Sequence, residues 1–261
     1  MKNPLAWLAT IAVLAAVVAG YFYWRAGVAP EAPPPPVAVA PPAPAPADAP
    51  PILHPVPEPQ AGTPLPSLAE SDPAMKDALT GLFGRESYSR YFYPDGIVRR
   101  FVATIDNLPR KTAANRLMPV KPVPGSFVMA GSEAGLGIGA PNALRYRPYV
   151  VAMESADAKK LVATYFRFYP LFQNAYRELG YPNGHFNDRL VQAIDDLLAA
   201  PAVAAPRLTQ PKVLYVYADP DLEDRSAGQK IMIRMGTDNA ARVKAKLRAI
   251  RQELTQQPTP P

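Results

Sequence analysis

Cysteine is absent from the 261-residue sequence. That excludes a disulfide framework, a thiol nucleophile and thiolate zinc sites. Histidine is nearly absent, with only His54 and His185. His54 falls in a proline-dense stretch unsuited to chemistry, so His185 is left without a second imidazole at a metal-binding spacing such as H-x-x-x-H. A serine hydrolase would have to use His185 or a lysine as its base. Strong charge is lacking too: 28 basic against 22 acidic residues give +6. That favours anionic partners mildly and falls short of a nucleic-acid signature, so nucleic acid is not an expected partner.

What the sequence has begins with an apolar run. Residues 5–24, LAWLATIAVLAAVVAGYFYW, are twenty in a row without charge, the length of a helix that spans about 30 Å of hydrocarbon. Tyr21, Phe22, Tyr23 and Trp24 close it, where aromatic rings favour the membrane interface. A cleaved leader is the competing reading, with Val17-Val18-Ala19 as a weak cleavage site. The apolar run continues past that site, so a retained single-pass transmembrane helix is expected, with the rest of the chain outside the cytoplasm.

A proline-rich linker follows, assigned to residues 25–66. Between Val28 and Pro66, sixteen of thirty-nine residues are proline. Such a stretch cannot feed hydrogen bonds to a helix or sheet and favours polyproline II. It reads as a standoff that holds a domain away from the bilayer. Residues 67–257 suffice for one globular domain with a sizeable core. That domain keeps 26 basic and 19 acidic residues, a charge of +7.

Periodicity along the domain predicts an α+β fold, mostly helical with a small antiparallel sheet. Ser71-Asp72-Pro73 starts a helix that stops near Gly84. Ile97, Phe101, Ile105 and Leu108 line one helical face. Residues 110–142 read as a long loop with one short strand at 126–129. A helical pattern runs from Ser155 to Leu179, and Gly180 stops it. Asn183 or Asn187 caps the next helix. KVLYVYA (212–218) and QKIMIRM (229–235) alternate as two strands of an antiparallel pair, and Thr237-Asp238 caps a final basic helix that reaches Leu254.

Several phrases occur together: RYRPYVVAMES from Arg145, YPLFQNAYRELGYP from Tyr169, HFNDRLVQAIDDLL from His185, LYVYADPDLE from Leu214 and GQKIMIRMG from Gly228. In this order they resemble the bacterial domain of unknown function family 3014, across essentially the whole chain after the linker. The resemblance implies a membrane-anchored protein of a Gram-negative-type envelope and brings no catalytic residues.

Candidate chemistry is sparse. Gly135, Gly137 and Gly139 lack the spacing and the lysine of a phosphate loop. Asp219, Asp221 and Glu223 alternate like the start of a calcium loop, but Asp224 stands where glycine is required and Lys230 where glutamate is. Capping of a short turn by Asp219 is the simpler account. No cofactor, metal ligand or catalytic set is assigned. The residues selected for binding are Arg145, Tyr146, Tyr181, His185, Asp188 and Arg189. The expected function is non-enzymatic, with the extracytoplasmic domain of a single-pass inner-membrane protein binding another cell-envelope component. That component is an envelope protein or an anionic cell-wall or lipid group, the latter met by Arg242, Lys244, Lys246, Arg248 and Arg251. The alternative is a periplasmic enzyme that acts on an envelope polymer with His185 and Asp188 as an acid–base pair. Leu161, Tyr165, Tyr169, Phe172, Tyr176 and Leu179 fall on one helical stripe, expected to be core rather than groove.

Overall fold

The computed structural model describes residues 51–57, 64–131 and 135–256, all within the unit Ala49–Pro261. The expected transmembrane helix and most of the linker lie outside the described residues. Among the described residues no helix is long and apolar enough to cross a membrane.

The domain is mostly helical. Helices α1 (Asp72–Phe83), α2 (Arg85–Tyr91) and α3 (Ile97–Asn107) come first. Strands β1 (Met129–Ala130) and β2 (Gly137–Ile138) follow, then α4 (Pro141–Ser155), α5 (Ala158–Glu178) and α6 (Phe186–Leu198). Strands β3 (Leu208–Thr209) and β4 (Val216–Tyr217), the short turn α7 (Pro220–Glu223), α8 (Ala227–Arg234) and α9 (Thr237–Thr255) complete it. The sheet is two separate antiparallel pairs, β1 with β2 and β3 with β4. Leu208 sits opposite Tyr217, and Thr209 opposite Val216.

Helix α5 is central, with α3, α6 and α9 packed on it or on one another. Asp157 starts it by accepting the Lys160 N–H at 2.8 Å. The expected stripe is core: Tyr165, Phe172 and Tyr176 are buried and Leu161 and Tyr169 half-buried. Only Leu179, at the frayed end, is exposed. Phe168, Leu171 and Gln173 are buried as well, so the covered face is wider than the stripe. Pro170, which lacks an N–H to donate, lies on the exposed side. Gly180 ends the helix with φ +114°, a conformation in which a Cβ is strained.

Several expectations need correction. Residues 229–234 are helical, with Met235 at the helix C-cap, and do not form a strand. Ser226 caps α8 by accepting the Gln229 N–H at 3.0 Å, and the Ser-x-x-Gln start outweighs the apolar alternation that suggested a strand. Its supposed partner shrinks to Val216–Tyr217, paired with Leu208–Thr209, while Val213 and Leu214 are exposed. Asn183 and Asn187 do not occupy the cap of α6. His185 does, with extended backbone. Residues 141 and 142, expected to close a loop, begin α4, and Ser155, expected to begin a helix, is where α4 ends, with Pro148 inside it. At the first helix, Ser71 donates to the Leu68 carbonyl at 2.9 Å rather than capping α1. Asp72 instead accepts the Gly96 and Ile97 N–H groups at 2.7 and 2.9 Å, serving the start of α3.

Candidate functional site

The selected binding residues separate into three places. Arg145 and Tyr146 lie on α4. Arg145 donates to the carbonyls of Pro124 (2.7 Å), Gly125 (2.6 Å) and Val123 (3.3 Å), and to Asn142 Oδ1 at 3.0 Å. Asn142, fully buried, ties Val128 and Gly139 together through both of its amide atoms. The glycine-rich stretch is thus held against α4 by main-chain bonds. Tyr146 is half-buried against the core.

Tyr181 and Arg189 meet at a residue the sequence reading missed. Asp106, on α3, has a side chain only 6 % exposed. Its carboxylate accepts from Arg189 Nε at 3.0 Å, from Arg110 at 2.7 Å and from the Tyr181 hydroxyl at 3.3 Å. Two arginines and a phenol thus satisfy one buried carboxylate, which is the condition for burying a charge. Tyr181 also stacks on Tyr176 with ring centroids 4.5 Å apart. A helix-internal aspartate followed four residues later by arginine was the available signal.

The third place is the start of α6, where part of the expected linker returns to the domain. Asp188 Oδ2 accepts the Leu53 N–H at 3.1 Å and Oδ1 accepts the His54 N–H at 2.7 Å. Asn187 Nδ2 donates to the His54 carbonyl at 2.9 Å. Asn187 is 1 % exposed, and its Oδ1 accepts from the Tyr165 hydroxyl at 3.2 Å. The buried amide is thus oriented from the aromatic core with its N–H pointing at segment 51–57. Gln173 completes the support: its Oε1 accepts from Tyr169 and from the Phe186 N–H, and its Nε2 donates to the Gly184 carbonyl. Gly184 is required here, since a Cβ would lie 2.9 Å from Tyr176 Cε1.

Every bond of this clamp goes to main chain. Ile52 and Leu53 are 55 and 70 % exposed, so their side chains add little. The chain bends at Leu53 and His54, which turns their two successive N–H groups to the same side, where one carboxylate accepts both. Hydrogen bonds to a charged group contribute roughly 1.5–3 kcal/mol each. Ordering each residue costs roughly 1–2 kcal/mol. Two such bonds and one neutral bond to Asn187 do not exceed the cost of ordering seven residues, so the segment is held weakly. His185, at the cap position of α6, is half-buried beside the clamp.

Electrostatics around the clamp follow burial. Desolvation pushes the Tyr165 hydroxyl well above the usual phenol range, with Tyr169 and then the Asp188 charge adding to it. Tyr169 rises for the same first reason. Both phenols stay neutral donors and acceptors at physiological pH.

Four of the five cations of α9 are engaged inside the domain. Arg242 pairs with Glu154 and Arg251 with Asp195. Lys244 donates to the Ala200 carbonyl after α6, and Lys246 to the Ala156 carbonyl after α4. Both lysines thereby complement helix C-terminal ends. The acidic turn is engaged too: Asp219 accepts the Asp221 N–H at 2.9 Å, and Glu223 accepts from Tyr217 N–H and Lys230.

A family model described as "Protein of unknown function (DUF3014)" matches residues 97–251. No curated protein and no solved structure matches the chain.

Proposed function

The chain belongs to this family of proteins of unknown function, DUF3014, and we propose that it is a single-pass inner-membrane protein whose periplasmic domain binds another envelope protein. Residues 5–24 anchor it. The domain grips a polypeptide segment of its partner by its main chain at Asn187 and Asp188.

One observation carries this reading: the domain already holds residues 53 and 54 of its own chain there, by three bonds to main-chain atoms. A carboxylate that accepts N–H groups suits a polypeptide and repels an anionic polymer or lipid headgroup. The basic helix α9, the natural candidate for such anions, spends four of its cations on internal partners. The acid–base alternative has less support, because both oxygens of Asp188 are taken by N–H donors.

In-cell photo-cross-linking tests the proposal. A benzophenone side chain at Asn183, exposed just before the clamp, is expected to give a discrete adduct with an envelope protein. The same group at Ala241, exposed on α9, is expected to give none. Equal or absent adducts at both positions would remove the proposed site. Alkaline phosphatase fused after Gln257 is expected to be active, and an inactive fusion would reverse the topology.

A further inference from the structure

We infer that residues 51–57 are a displaceable occupant of the Asn187–Asp188 clamp, so that the domain blocks its own binding site until a partner segment exchanges with them. This rests on the binding function proposed above and adds its regulation.

The geometry assigns the ligand class. The clamp reads two successive main-chain N–H groups and the carbonyl of the second residue. A ligand must therefore present two consecutive residues other than proline, bent so that both N–H groups face the same side. In residues 50–57, PPILHPVP, prolines flank the only three residues with an N–H before Val56. The clamp uses two of those three. With the side chains of Ile52 and Leu53 largely in solvent and those of His54, Val56 and Pro57 only half-buried, the contact is chiefly a main-chain one that a similarly bent, proline-bounded segment can replace.

Permanence would require more. Neither large apolar side chain of the segment enters the core cluster. Asn187, by contrast, is built in: a buried amide fixed by Tyr165 and aimed at whatever lies on the clamp. The receptor half is rigid and the occupant half is shallow, as competition requires. A tethered occupant competes at high effective concentration, and a site competent for only a fraction of the time loses apparent affinity by that fraction.

The test uses the full chain in detergent micelles and a fluorescein-labelled, amidated peptide of residues 50–57 as probe. Leu53→Pro with His54→Pro removes the two donors and leaves Asn187 and Asp188 intact. Fluorescence anisotropy is expected to show this variant binding the peptide at least about tenfold more tightly than the unaltered chain. Adding Asp188→Ala is expected to abolish that binding, with unchanged circular dichroism confirming the fold. Equal, measurable affinity for the unaltered chain and the double-proline variant would overturn the inference and leave the binding site standing. Absence of binding to both would overturn inference and proposed site together. Binding that survives Asp188→Ala would place the peptide elsewhere and also overturn the inference.

Discussion

Asn187 donates its side-chain N–H to the carbonyl of His54, 133 residues earlier in the chain, at 2.9 Å. The bond joins a segment expected to be free spacer to the first turn of the helix that covers the aromatic core. His54 enters through its main chain.

Hydrogen exchange should report this contact directly. In the full chain, the Leu53 and His54 amides are expected to exchange several-fold more slowly than the Val56 amide, for which no such acceptor is present at the clamp. Asp188→Ala should remove that difference, since it deletes both acceptors, while amides in α5 keep their protection. Unprotected amides in the unaltered chain would mean the segment is not held.

The buried carboxylate Asp106 makes a contrast with the exposed pairs. Asp106→Ala leaves Arg189, with a side chain only 16 % exposed, without its counter-charge. Breaking such a pair from one side costs about 3–5 kcal/mol. Asp195→Ala breaks the pair with Arg251, whose side chains are 38 and 48 % exposed, and should cost at most about 1 kcal/mol. Urea unfolding in detergent, followed by circular dichroism, compares them. Equal losses would show that the Asp106 cluster is not energetically buried.

Tyr176 and Arg177 separate core from surface within one turn. Tyr176 is 6 % exposed, stacks on Tyr181 and lies 5.5 Å from Phe186 by ring centroids. Tyr176→Ala is expected to cost ~3–5 kcal/mol. Arg177 is exposed, and Arg177→Ala should stay within ~0.5 kcal/mol. Similar small losses for both in urea unfolding would mean that the stripe is not core.

The contrast between those two residues was legible because a long helix repeats its pattern often enough to declare its face. The ends of α1 and α3 were legible for the same reason, each being stopped by Gly84 or by Leu108-Pro109. Helix α8 was not, since Ile231, Ile233 and Met235 alternating with Lys230, Met232 and Arg234 fit period two as well as a buried helix, and only Ser226 with Gln229 distinguishes them. Helix α4 was hidden by Pro141 and Pro148, of which the first is a favourable start and the second is tolerated within a turn. The site was legible only in pieces. Asp188, Arg189 and Tyr181 stood out as polar groups near aromatics, but Asp106 and residues 53 and 54 reach them across 75 to 135 positions. Local pattern carries no information about such pairings, and proline density drew attention away from Ile52-Leu53-His54, whose N–H groups can donate.

Tyr217 supplies the pH dependence. Its hydroxyl is pushed up to about 12 by burial, with Glu223 adding to the effect and Arg234 opposing it. It donates to the Lys230 carbonyl at 3.2 Å, so the neutral form is the one the fold accepts. An unfolded tyrosine ionises near 10. Below that value both states hold the proton and the full stability remains. Between about pH 10 and 12 the unfolded chain loses the proton while the folded domain keeps it, so stability falls as pH rises. Tyr217→Phe has no proton to lose. It should lower stability at neutral pH by about 1 kcal/mol for the missing hydrogen bond, yet lose about 2 kcal/mol less than the unaltered chain between about pH 9 and pH 11.5. Denaturant midpoints measured across that range check the slope. Parallel curves for the two proteins would mean that Tyr217 titrates in the folded domain as it does in the unfolded chain.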